Sequence, residues 1–228
     1  MKFAAQFMQF MVLIPAAILC FLPMKDQLTS PPKKIIARIW LVLTILIPVS
    51  ALIFMAGNFP ANYVMLPDIA ILYLFYHRSL NTHWATSASV FLMVAALMSF
   101  PPNIALCIDC QIHPQETLLS PCLVATTVQF AISVVFVLLY FLIFKNHFSE
   151  LINSLNSAYV WSATLPVPLI FILLNIMMQP QKYETMHVNR VYRMYVAYLL
   201  LAFFLFNVIY LIFYLVAVIL LRNAKTEE

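Results

Sequence analysis

Seven stretches of this chain, residues 4–22, 35–56, 63–76, 84–104, 122–144, 159–178 and 191–221, run apolar and almost free of charge between short polar breaks. A helix needs about 20 apolar residues to cross the hydrocarbon of a bilayer, where every backbone polar group must be satisfied within the segment. The spacing predicts an all-α chain, a polytopic bundle of seven transmembrane helices. Its third span is short and carries Asp68, and its seventh is long. Charged residues make up 9% of the chain, against ~25% in soluble domains. No internal repeat and no soluble domain fits between the spans, so residues 1–228 read as one transmembrane domain with an exterior loop at 105–121.

Orientation follows from the Lys/Arg bias of short loops, because cytoplasmic loops retain positive charge. With the first connection inside, Lys25, Lys33, Lys34, Arg38, Arg78, Lys145, Arg222 and Lys225 are cytoplasmic, against Lys2, Lys182, Arg190 and Arg193 outside. Eight against four predicts an exterior N-terminus and a cytoplasmic C-terminus. The third span is the pivot, since losing it would reverse everything after residue 62. A secretory or lipoprotein signal at the N-terminus is disfavoured: Leu19 stands where processing before Cys20 wants a small residue, and four basic residues follow the segment while one precedes it. Cys20 reads instead as a small apolar residue buried in the membrane.

The chain has one glycine, Gly57, where usual composition would supply about 16 at ~7%. Phosphate-cradling loops need glycine for tight turns and close backbone approach, so a Walker A loop and a dinucleotide fingerprint are both excluded. No cofactor and no nucleic-acid partner is expected. Gly57 falls at the end of the second span, as a helix cap.

Asp68 is the one acid inside a span, and an ionised carboxylate there costs about 2.5 to 3.5 kcal/mol on insertion scales unless it finds a partner or water. It follows Pro67, which frees a backbone carbonyl one turn earlier, and Tyr63 lies just before. Two kinds of reading stand: a ligand or ion contact near the outer face, or a purely structural role, as a salt bridge or as an acid close enough to the interface to be wet. A natural partner set lies at the start of the seventh span, where His187, Asn189, Arg190 and Arg193 gather, the two arginines sharing a face at i, i+3. The ligand-binding candidates are therefore Asp68, Pro67, Tyr63, His187, Arg190 and Arg193, with Asp68 and Arg193 as a possible latch. Arginines at a helix end can equally snorkel to lipid phosphates.

Three of the four cysteines, Cys107, Cys110 and Cys122, fall in or beside the expected exterior loop. Oxidising surroundings allow Cys122 to pair with Cys107 or Cys110. The alternative is a tetrahedral Cys3His metal site from Cys107, Cys110, His113 and Cys122, for which the C-x2-C spacing is suitable. A C-x-x-C redox pair lacks its strand and helix context.

Prolines 15, 48, 67, 166 and 168 lie in or at the edge of spans, and Pro166-Val-Pro168 predicts the sharpest kink. Trp40, Trp84 and Trp161 suit an inner interfacial belt and Tyr192, Tyr195 and Tyr198 an outer one. Asn175 and Asn207 are candidates for interhelical hydrogen bonds. Histidines 77, 83 and 147 fall in cytoplasmic loops, where a solvated surface role is expected.

The seventh span, 31 residues long, measures roughly 46 Å as a helix and exceeds a ~30 Å hydrocarbon core. An exit helix over 215–228 with no glycine or proline to stop it predicts that the chain is cut from a longer one, with a rod that carries motion inward. The opening Leu13-Ile-Pro-Ala-Ala-Ile-Leu-Cys20-Phe-Leu-Pro-Met-Lys25, the basic first cytoplasmic loop, the seven spans and the Asn-Ala-Lys-Thr-Glu-Glu228 exit together resemble the N-terminal membrane sensor region of bacterial GHKL-type histidine kinases, which are similar to the peptide-sensing kinases of quorum systems. The resemblance implies a multi-pass receptor in a bacterial cell membrane that detects an extracellular peptide or small hydrophobic signal and dimerises through a kinase part. Neither a phosphoacceptor histidine motif nor an ATP-binding domain is present, so this chain itself is expected not to be an enzyme. The alternatives are a small transporter or substrate-binding membrane subunit and, last, an intramembrane cysteine peptidase, for which Cys20 lacks a nearby base.

Overall fold

The computed structural model of the chain describes residues 2–57, 61–112, 122–154, 158–178, 218–219 and 222–223. These residues are almost all helical, with no strand among them. Ten α-helices cover the described part: α1 (Lys2–Phe10), α2 (Leu13–Phe21), α3 (Pro32–Gly57), α4 (Ala61–Arg78), α5 (Trp84–Met98), α6 (Phe100–Ile112), α7 (Leu123–Leu139), α8 (Lys145–Ser154), α9 (Ala158–Thr164) and α10 (Pro166–Met178). Among the described residues four continuous stretches are long and apolar enough to cross a membrane: Phe3–Phe21, Pro32–Gly57, Trp84–Asp109 and Leu123–Leu142. Val160–Ile176 is apolar but shorter, and α4 falls outside this set. The expected seventh span, apart from residues 218–219, lies outside the described residues, as do His187, Arg190 and Arg193.

Prolines set the breaks. Pro15 has no N–H to offer the Met11 carbonyl, which accepts from Ile14 one residue early, at 3.1 Å. That tightened turn separates α1 from α2 within one span. Pro48 and Pro67 sit inside α3 and α4 without ending them. Around Pro166 the ladder shifts: the Leu165 N–H donates to Ser162 at 3.3 Å, and α9 gives way to α10 at this residue. The Trp161 carbonyl, which a regular helix would pair with Leu165, is taken up by side chains: the Ser89 and Thr164 hydroxyls both donate to it at 2.7 Å. Freed carbonyls at membrane prolines are commonly re-satisfied in this way by neighbouring Ser and Thr.

Two boundaries differ from the sequence expectation. Residues 105–112, expected to open an exterior loop, are helical instead, because α6 runs through Ile112. Pro101 and Pro102 occupy its first turn, where a missing N–H costs nothing, and no glycine or proline follows until Pro114. At the other end, α7 does not stop at Lys145. It passes through a five-residue π-helical stretch, Tyr140–Phe144, directly into α8.

The amino-terminal span is central: α1 packs on α3 and α7, and α2 on α3, α5 and α7. The other hub is α5, which contacts α4, α9 and α10. Where α1 breaks from α2, the Gln129 side chain of α7 donates to the Gln9 carbonyl at 3.1 Å. One end of the bundle is sewn together by polar contacts between segments far apart in sequence. The Thr29 N–H donates to Ser79 at 3.0 Å, the Asn81 N–H to Gln27 at 2.8 Å, and the Asn153 amide to Asp26 at 3.2 Å. The turn after α2, the turn after α4 and the end of α8 therefore share one end. Outward faces carry large apolar residues, Leu41, Ile45 and Leu52 on α3 and Leu138 and Leu142 on and after α7, as expected of surfaces in lipid.

Candidate functional site

Small residues open a space in the bundle. Ala16 and Ala17 of α2 and Ala95 of α5 line a cavity where a larger side chain would have closed the gap between neighbouring helices. Its volume is about 300 Å³. It extends along α5 and α6 from Phe91 to Asn103 and is bounded by α2, α3, α4 and α10. The walls are almost wholly aliphatic and aromatic. At one end stand Phe21, Phe75, Tyr76 and Phe91, with Phe21 and Tyr76 edge to face at 5.0 Å between ring centres. At the other end stand Ser99, Asn103 and Asn175, and the Asn103 amide donates to the Asn175 oxygen at 2.8 Å across α6 and α10. Among the described residues no charged side chain lines the cavity.

Cys20 also lines this space and is buried. Among the described residues no histidine or carboxylate shares the lining to activate its thiol as a nucleophile. The arrangement can enclose an apolar molecule and hydrogen-bond one end of it.

Asp68 lies apart from the cavity. It is 4% exposed on α4, its carboxylate accepts from the Ser50 side chain of α3, and its Oδ2 is buried without a hydrogen-bond partner among the described residues. Its side chain is thus enclosed by the helices around it. Pro67 points outward and is exposed. The Tyr63 side chain is outside the described residues, as is Arg193, so the expected latch cannot be drawn from them.

The cysteine cluster takes a different form at Cys122. This residue is a thiol, not bridged to Cys107, and its Sγ caps α7 by accepting from the Ala125 N–H at 3.3 Å. Its own N–H donates to the buried Asp109 carboxylate at 3.2 Å. Cys122 sits just outside the span that begins at Leu123, and burial pushes its thiol above the ordinary range, with the Asp109 charge adding to the effect and the Ala125 amide opposing it. Among the described residues no three His, Cys, Asp or Glu side chains are grouped to hold a metal ion. The Cys110 side chain and His113, both needed for the alternative metal site, are outside that set.

Two surface assignments need correction. His77 is not a solvated loop residue: it ends α4 half-buried, stacked on Tyr73 with ring centres 6.0 Å apart and 2.8 Å from the Ser87 hydroxyl. Trp161 is not in an interfacial belt but is 0% exposed in the core with Cys20, Met24 and Tyr76, whereas Trp40 and Trp84 are exposed. His83 is exposed and caps α5 by accepting from the Ala85 N–H at 3.2 Å. Asn175 makes the interhelical bond expected of it, and its partner Asn103 escaped notice because it follows two prolines at a span boundary. No known protein family, curated protein or solved structure matches the chain.

Proposed function

We propose that the chain is the membrane-embedded input region of a bacterial sensor, and that its signal is a small hydrophobic molecule held in the cavity between α2, α4 and α5. The cavity is the observation that carries this reading. Ligand sites are typically apolar spaces of ~300–1,000 Å³ with a few placed polar groups, and this one, at about 300 Å³, has its polar groups at one end. A peptide would need more room and charge-pairing groups, so the small-molecule signal is favoured over the peptide. The chain then crosses a bacterial cell membrane seven times, with its N-terminus outside and its C-terminus in the cytoplasm. Support for that count comes from the shared end of the turns after α2 and α4: Lys25 and Arg78 lie in or beside them, and α4 must traverse the bundle to join them. The seventh span passes the state of the bundle to a cytoplasmic kinase module of GHKL type, as the resemblance implies.

The test is a spin label on Asn223→Cys in nanodiscs, with biphenyl as an apolar probe of suitable size. Saturable binding that shifts the label's mobility or inter-label distances supports a receptor. Saturable binding with no shift, together with biphenyl exchange between vesicles, would favour the alternative, a small transporter or substrate-binding subunit.

A further inference from the structure

The two ends of the cavity differ in chemistry, and the difference restricts the ligand. From Phe91 to Asn103 is twelve residues along α5 and α6, roughly 18 Å at 1.5 Å per residue. The aromatic end, with Phe21, Tyr76 and Phe91, offers mainly ring surface beside the Cys20 thiol. The other end is an amide pair. Its bond uses an Asn103 hydrogen and an Asn175 lone pair, and Asn175 keeps two Nδ2 hydrogens for an acceptor. The Ser99 hydroxyl donates to Ala96 at 2.7 Å, which leaves its oxygen able to accept.

Among the described residues no cation or anion lines this space, so an ionised head group would enter it stripped of water and meet no counter-charge from them. An uncharged hydroxyl or carbonyl would meet donors and an acceptor. Size sets the other limit: about 300 Å³ is twice the ~150 Å³ apolar cavity that takes up benzene, so roughly a dozen non-hydrogen atoms fit. Resting on the reading of this cavity as the signal site, we propose that its ligand is a neutral, elongated amphiphile with a hydroxyl or carbonyl held between Ser99 and the Asn103–Asn175 pair. Its apolar tail lies along α5 toward Phe91 and Tyr76.

Radiolabelled 1-dodecanol, dodecane and dodecanoate, each at matched bilayer concentration in phosphatidylcholine nanodiscs, distinguish the possibilities. The alcohol should bind saturably and at least tenfold more tightly than either of the others. Asn175→Leu should bring it to the level of dodecane while leaving dodecane unchanged, and Asn175→Gln should restore part of the preference. In the unaltered protein, a dodecanol carrying a diazirine at its far carbon should label the peptide holding Tyr73, Tyr76 or Phe91. Equal binding of alcohol and alkane, tightest binding of dodecanoate, or tail labelling near Asn103 overturns the proposal and leaves the cavity reading intact. Absence of saturable binding by all three probes overturns both.

Discussion

The proline break between α9 and α10 makes a sharp energetic prediction. Trp161 is fully buried, and its carbonyl is held by two hydroxyls, Ser89 from α5 and Thr164 from its own helix, each at 2.7 Å. The hydroxyls also touch each other at 3.0 Å. Either alone can satisfy the carbonyl. Ser89→Ala or Thr164→Val should therefore cost only about 0.6 to 1 kcal/mol, the usual worth of one intramembrane hydrogen bond. Removing both takes two hydroxyl donors from a buried carbonyl, which adds about 1–3 kcal/mol of desolvation. The double variant should lose roughly 2–5 kcal/mol, with a coupling of about 1 kcal/mol or more, around fivefold in the unfolding constant. Reversible unfolding of the four proteins in mixed micelles titrated with dodecyl sulfate measures it. Additivity within about 0.5 kcal/mol would refute the claim that the hydroxyls replace the partner lost at Leu165.

Three further outcomes follow from single contacts. Gln129→Leu removes the only side-chain link at 3.1 Å to the Gln9 carbonyl among the described residues and should destabilise the fold by about 1 kcal/mol, read by the same titration, with amide exchange rising first near residues 9–13. Asp68→Asn should change stability by less than about 1 kcal/mol because one carboxylate oxygen already lacks a partner, whereas Ser50→Ala strands the other and should cost about 1–3 kcal/mol. At Cys122 the raised thiol pKa means that the thiolate forms at higher pH than in an ordinary cysteine. Iodoacetamide labelling should lag that of a model thiol as pH rises, and Asp109→Asn should shift the profile back toward lower pH.

Much of the helical plan can be read from the chain because bilayer-length apolar runs leave the backbone few alternatives. The runs beginning near residues 4, 35, 84 and 122 all emerge as long apolar helices, and the Pro166 break falls where the sequence places it. Boundaries were less legible. Helix α6 outlasts its apolar run because nothing after Pro102 stops it, and α8 continues past Lys145 on hydrogen bonds that hydropathy does not register. The site was mostly hidden. Charge marks Asp68, yet the cavity is made by what is small, Ala16, Ala17 and Ala95, and three alanines among the 22 of this chain carry no distinguishing signal. His77 and Trp161 were misplaced for a related reason: residue type sets a preference for an interface, but a neighbouring Ser87 or a gap in the core decides the outcome.

The central claim is that the bundle holds a cavity that takes up an apolar molecule from the membrane. Its most direct test is the stoichiometry of biphenyl bound to the protein in nanodiscs, corrected for partition into protein-free discs, beside Ala95→Phe and Ala17→Phe. One saturable site per chain, lost in both filled variants while each remains folded, is the predicted result. Uptake that rises linearly with concentration and is the same in all three proteins would contradict it.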